Sequence, residues 1–133
     1  MFHILVVDDD KNTRQLIKAV LETENYIVIG ATDGEDALKV LDRSHIDLVI
    51  LDVMMPKMDG YEFTEILRRV QNELPILMVS AKQLPADRNK GFIVGTDDFM
   101  TKPFDEEELL LRVKALLRRA KIVNEHRIII GEV

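Results

Sequence analysis

The 133-residue chain contains no cysteine, so neither a disulfide framework nor a thiolate metal site is open to it, and a reducing compartment suits it. Its three histidines, His3, His45 and His126, are too scattered for a zinc site. No apolar run approaches the ~20 residues needed to cross a bilayer. The amino terminus, MFHILVVDDD, reaches acid after a short apolar stretch with no basic lead-in. Internal repeats and low-complexity segments are absent. Together these absences predict a soluble, intracellular chain of the cytoplasm. Positive charge is also scarce over most of the length: residues 1 to 111 carry 12 Lys and Arg against 22 Asp and Glu, whereas 112 to 133 carry 6 against 2. An acidic body argues against direct nucleic-acid binding, which rests largely on neutralising phosphates. The basic end is consistent with ordinary helix-end chemistry.

What is present suits one domain: 47% of the residues are apolar, enough for a real core, and there is no room for a second complete domain. The chain is organised around Ile46 to Gly60, IDLVILDVMMPKMDG. Leu48, Val49, Ile50 and Leu51 are apolar without alternation, as in a strand covered on both faces. Asp52 then stands where that strand ends. Pro56 and Asp59-Gly60 mark a turn, and Tyr61, Phe63, Ile66 and Leu67 resume at helical spacing.

The rest follows the same rhythm. His3 to Val7 predicts a first strand, stopped by Asp8, Asp9 and Asp10; Leu16, Ile17, Val20 and Leu21 predict a helix; Tyr26 to Ile29 predict a second strand ending at Gly30. Asp33-Gly34 turns into a helix carrying Ala37, Leu38 and Leu41. After the central strand and its helix, Pro75 to Val79 reads as a fourth strand ending at Ser80, followed by a weaker helix with Phe92, Ile93 and Val94 near its end. Asp97 to Thr101 predicts a short fifth strand leading to Lys102-Pro103. The last helix has Asp105 as cap, Glu108 in capping-box position, and a stripe of Leu109, Val113, Leu116 and Leu117. Five strands alternating with five helices predict a flavodoxin-like, doubly wound α/β fold with a parallel sheet in the order 2-1-3-4-5. Residues 122 to 133 end in RIIIGEV, which reads as a strand start with nothing left to pair it. The expected division is a domain over 1 to 121, then a linker and the start of a further domain.

In that strand order Asp8 and Asp9 lie beside Asp52 at the carboxyl edge, where open α/β sheets bind ligands. Three converging carboxylates repel unless a cation is present, and a hard divalent ion such as Mg²⁺ suits a site of carboxylates, a backbone carbonyl and waters. Ser80 and Lys102 bring a hydroxyl and an ammonium to the same edge. Phosphoryl transfer needs little beyond an in-line nucleophile and positive charge around the phosphoryl oxygens, so Asp52 is a candidate to become an aspartyl phosphate. Singly, these residues read as ordinary turn, cap and surface residues. The combination carries the chemistry.

The motifs ILVVDDD, LVILDVMMPKMDG, ILMVSAK and DDFMTKPF, in that order, resemble the receiver domain of bacterial response regulators over residues 2 to about 121. The resemblance implies that Asp52 is the phosphoacceptor and that Asp8, Asp9 and the Met54 carbonyl hold Mg²⁺ with it. It makes Ser80 and Phe99 the switch pair and Lys102 the phosphate-contacting lysine. It also implies a cis Lys102-Pro103 bond and phosphotransfer from a sensor histidine kinase, without enzymatic turnover of a substrate. Phe99 stands where relatives often have Tyr, so a ring hydroxyl is unavailable there. The segment from Asp87 to Arg119 is similar to the OmpR/PhoB-like branch, whose receivers form a homodimer through the fourth helix, fifth strand and fifth helix. By position, Arg88 would meet Glu108, Asp98 would meet Arg112, and Asp97 would meet Arg119 across that dimer, with Phe92 and Leu111 filling an apolar patch. Asn89 replaces an apolar residue usual in relatives. DNA binding in this branch belongs to a C-terminal winged-helix domain, whose opening strand RIIIGEV would fit, and phosphorylation would control transcription through it.

The same residues leave three rival readings: a stand-alone receiver, a Mg²⁺-dependent phosphohydrolase and a flavin-binding module. Haloacid-dehalogenase-type hydrolases usually place a second acid two residues after the nucleophile, where this chain has Met54. A flavin module needs a Ser/Thr/Gly-rich phosphate loop after the first strand, where this chain has three acids.

Overall fold

A computed structural model describes residues 1–71 and 73–129. The elements alternate as β1 (His3–Val7), α1 (Lys11–Glu22), β2 (Ile27–Ala31), α2 (Gly34–Arg43), β3 (Leu48–Asp52), α3 (Gly60–Val70), β4 (Ile76–Ser80), α4 (Pro85–Val94), β5 (Asp98–Thr101) and α5 (Glu106–Ile129). All strand pairs are parallel and the sheet order is β2-β1-β3-β4-β5, which is the flavodoxin-like arrangement expected from the sequence.

Strand alternation divides the core in two. Ile4, Val6, Leu48, Ile50, Leu77, Val79 and Met100 face α1 and α5, where Ile17, Leu21, Leu109 and Val113 cover them. Leu5, Val7, Val49, Leu51, Ile76, Met78 and Phe99 face the opposite layer, built by Ala37 and Val40 of α2 and Phe63 and Leu67 of α3. Each strand is therefore apolar on both faces, and each large side chain so buried contributes about 1.5–3 kcal/mol. The helices begin on side-chain caps: Asp10 accepts from the Asn12 and Thr13 N–H groups, Asp33 from Asp36, and Asp59 from Glu62. Helix α4 is the exception. It starts at Leu84-Pro85 without a side-chain cap and buries little besides Gly91.

Several details differ from expectation. Strand β2 continues through Gly30 to Ala31, because Val7 pairs with Ala31 and the Asp8 N–H donates to the Ala31 carbonyl at 3.1 Å. Leu16 is 47% exposed, since it lies off the face that Ile17, Val20 and Leu21 turn to the sheet. The capping box of α5 forms by half: Asp105 accepts from the Glu107 N–H at 3.2 Å, while the Glu108 carboxylate accepts from Arg112 instead. Helix α5 runs unbroken past residue 121, so Arg127 to Ile129 are helical where a strand start was expected. A strand there would leave its backbone groups unpaired, whereas a helix satisfies them internally. The remainder of RIIIGEV, residues 130–133, lies outside the described residues. No helix among the described residues is long and apolar enough to cross a membrane.

Candidate functional site

The parallel register carries the acids to one rim. Asp8 follows the last residue of β1, Asp52 is the last of β3, and Val7 pairs with Leu51 between them. Asp8, Asp9 and Asp52 offer oxygens that all lie within 4.8 Å of one another. Asp8 and Asp52 are buried, at 2% and 7% exposed, and Asp9 faces solvent. From the far side of β4, the backbone N–H of Lys102 donates to the Ser80 carbonyl at 2.7 Å. The Lys102 ammonium reaches in to donate to Asp8 Oδ2 at 2.9 Å and stands 3.6 Å from Asp52 Oδ2. The Lys102-Pro103 peptide is cis, as the family resemblance implies.

Charge is concentrated where water is largely excluded. Burial pushes the Asp52 carboxyl up to about 6, with the charge of Asp8 adding to the rise and Lys102 opposing it. For Lys102, burial works against the ammonium, but the hydrogen bond to Asp8 and the charges of Asp52 and Asp8 outweigh it, and its pKa is raised. The site therefore presents two buried carboxylates and one exposed one against a single ammonium. Such a surplus of oxygen anions fits a hard divalent cation, whose ligands are carboxylates, carbonyls and water. The cluster is thus able to hold a metal ion through oxygen donors.

Neighbouring residues hold this rim in place. Asp10, the third acid, turns away from the site: its carboxylate accepts from the Thr13 hydroxyl at 2.6 Å, and its N–H donates to Asp8 Oδ1 at 2.9 Å. An acid immediately before a helical run is a capping signal that the sequence does contain. The Arg14 guanidinium donates to the Asp8 carbonyl at 2.7 Å. Gly60 packs against the end of β3 so closely that a Cβ there would stand 2.6 Å from the Asp52 carbonyl oxygen. Its N–H donates to the Val53 carbonyl at 2.8 Å. Asp59-Gly60 is legible in the sequence as a turn; the need for glycine at that contact is visible only in the fold. Beside the acids lies a cleft of about 430 Å³ lined by Asp9, Val53, Met54, Met55, Pro56, Asp59 and Lys82.

The remaining predicted residues fall as follows. The Met54 N–H donates to Asp52 Oδ1 at 3.3 Å, and its side chain is exposed. Ser80 is fully buried and its hydroxyl accepts from the Lys82 N–H at 3.0 Å. Phe99 is 2% exposed, so its ring lies inside the fold. Gly91 makes that possible, because a Cβ there would come within 3.1 Å of the ring. The Arg88 guanidinium stands 5.8 Å from the ring centroid. Of the interface candidates, Phe92 and Leu111 are exposed apolar residues of α4 and α5. Within the one chain, Asp98 accepts from Arg112 at 2.9 Å, and Arg112 also donates to Glu108 at 3.1 Å. Asp97 is engaged by Arg68 and by the Ile76 N–H, both at 2.8 Å, with Arg119 at 4.0 Å.

Comparisons with known proteins identify the family and the fold. The family described as "Response regulator receiver domain" matches residues 4–114. The chain is 48% identical over 119 residues to the alkaline phosphatase synthesis transcriptional regulatory protein PhoP of Bacillus subtilis (strain 168), covering 90% of this chain and 50% of that protein. It is 46% identical over 120 residues to the transcriptional regulatory protein CpxR of Escherichia coli (strain K12), covering 90% and 51%. The chain thus spans about half the length of these curated relatives. A solved structure, the Francisella response regulator 1452 receiver domain, matches with a TM-score of 0.85 at 35% identity, covering 90% of this chain and 98% of that one. These matches bear out the OmpR/PhoB-like reading of the motifs. The chain belongs to the response regulator receiver domain family.

Proposed function

We propose that the chain is a phosphorylation-controlled switch in which Asp52 accepts a phosphoryl group from a sensor histidine kinase. The observation that carries this reading is the gathering of Asp8, Asp9 and Asp52 within 4.8 Å, with the Lys102 ammonium 3.6 Å from Asp52. An Asp52 oxygen attacks phosphorus, a P–O bond forms as the P–N bond to the kinase imidazole breaks, and the departing imidazole takes its proton from water. Asp8, Asp9, Asp52 and the Met54 carbonyl would hold Mg²⁺, which when bound supplies positive charge against the phosphoryl oxygens. Lys102 contributes further positive charge, and Ser80 contributes a hydroxyl at the neighbouring strand end. Asp52 must be ionised to attack; burial and the charge of Asp8 raise its carboxyl to about 6 before a cation binds, and positive charge at the site favours the ionised form. No substrate is turned over; the chain is itself the phosphoacceptor.

The new charge then biases a two-state surface. With Phe99 buried from the outset, packing of α4 and β5 around it is the element to be biased. Dimerisation would use Arg88, Phe92, Asp97, Asp98, Glu108, Leu111, Arg112 and Arg119. Because Arg112 already holds Asp98 and Glu108 within the chain, pairing requires these contacts to be exchanged for contacts between chains. DNA binding and control of transcription belong to a C-terminal domain outside these residues, with 122 to 133 as the connection to it, and the whole acts in the cytoplasm. The test is incubation with a radiolabelled phosphodonor and Mg²⁺. The wild-type chain is labelled and Asp52→Asn is not; persistent labelling of the variant refutes the assignment.

A further inference from the structure

We propose that His3, His45 and Asp47 form a second metal site, for a divalent transition ion of the Zn²⁺ type, at the amino edge of the sheet. His3 opens β1, and His45 and Asp47 lie in the segment that leads into β3. The histidines are distant in sequence, but the fold brings their rings to 6.2 Å between centroids, at 75° to one another. Between them stands one carboxylate. His45 Nε2 is 2.8 Å from Asp47 Oδ1, and His3 Nδ1 is 3.9 Å from Asp47 Oδ2.

A second observation comes from His3 itself. Its Nδ1 atom is buried and has no hydrogen-bond partner, although buried polar atoms nearly always have one. The atom faces a carboxylate oxygen at a distance too long for a hydrogen bond and too short for an intervening water. Two ligand atoms, each ~2.0 Å from a tetrahedral ion, lie about 3.3 Å apart. The two observed separations fall on either side of that value but run to different Asp47 oxygens. One donor atom from each residue does not yet bring all three within the 4.8 Å that the acidic cluster meets. Closing the set requires the His45 ring to turn, and its side chain is 77% exposed and therefore free to do so.

The donor set also selects the ion. Two imidazoles and one carboxylate suit Zn²⁺ and its neighbours, whereas the all-oxygen cluster of Asp8, Asp9 and Asp52 suits Mg²⁺. The carboxylate is already oriented, because Asp47 Oδ2 accepts the His3 backbone N–H at 2.8 Å. An ion held here would join the amino ends of β1 and β3, the two strands whose carboxyl ends carry Asp8 and Asp52.

The test is a titration of the chain with ZnCl₂ in excess Mg²⁺, followed by calorimetry and by the imidazole C–H resonances. One Zn²⁺ per chain is expected, with the His3 and His45 signals moving together and that of His126 unmoved. His45→Ala and His3→Gln should each weaken binding by at least the ~10- to 100-fold typical of losing even an outer-shell partner. Affinity unchanged in both variants overturns the proposal. So does a response of His126 alone, or loss of the Zn²⁺ on Asp9→Ala, which would place the ion in the acidic cluster.

Discussion

Replacing Asp52 by Asn should stabilise the chain when no metal is present. Burial and the neighbouring charge of Asp8 raise the Asp52 pKa from 3.8 to about 6. At ~1.4 kcal/mol per pH unit, that rise corresponds to at most about 3 kcal/mol borne by the folded state once Asp52 is charged. Between these two values the folded chain keeps a proton that the unfolded chain has released. Stability therefore falls as pH rises through the window, and the full cost is present above it. Asn has the same shape without the charge, but its introduction deprives Lys102 of a partner at 3.6 Å. The expected net gain is about 1–3 kcal/mol near pH 8, vanishing below about pH 4, where Asp52 is protonated in both states. Urea unfolding of both proteins in chelator, near pH 8 and near pH 4, measures it. Adding Mg²⁺ near pH 8 should stabilise the wild type and narrow the gap, since a ligand of the folded state shifts the balance towards it. A variant no more stable than wild type near pH 8, or a gap that is the same at both pH values, refutes the reasoning.

Other consequences follow from contacts around the same rim. Gly60→Ala sets a methyl 2.6 Å from the Asp52 carbonyl oxygen and 2.8 Å from Val53 Cα, both backbone atoms that cannot swing aside. A loss of about 1–3 kcal/mol in urea unfolding is expected, with phosphoryl labelling slowed by about 100-fold through displacement of Asp52. Lys102→Met removes the ammonium that favours the charged form of Asp52, so the pH profile of labelling should shift to higher pH. Asp97→Ala strands the partly buried Arg68 guanidinium and the Ile76 N–H. About 2–4 kcal/mol should be lost, and dilution of the chain, which removes any dimer, should leave that loss unchanged.

Asp97 illustrates where sequence reasoning stopped. Its place in DDFMTKPF identifies it as a candidate for pairing with Arg119, yet in the fold it ties the starts of β4 and β5 to Arg68 of α3. Arg68 lies in an unremarkable helix end, and nothing local indicates that its guanidinium also reaches the Gly95 and Leu74 carbonyls. Asp10 is the opposite case. Its role as the cap of α1 is a local matter, settled by hydrogen bonds to Asn12 and Thr13, and the residue order alone already implies it. The strands were legible because their apolar runs are bounded by acids, glycine and proline. Their ends were not, since Ala31 belongs to β2 only through its pairing with Val7.

By itself the sequence determined the alternation of strands and helices, the winding of the sheet, and the identity of the acids, hydroxyl and lysine at its carboxyl edge. Periodicity, capping residues and ordered motifs are properties of neighbours along the chain, and they survive in a one-dimensional record. Only the tertiary structure decided that the Lys102 ammonium lies between Asp8 and Asp52, that Gly60 touches the end of β3, that Phe99 is inside, and that His3 and His45 meet across Asp47. These depend on distance and on the exclusion of water, which arise when separate segments close on one another.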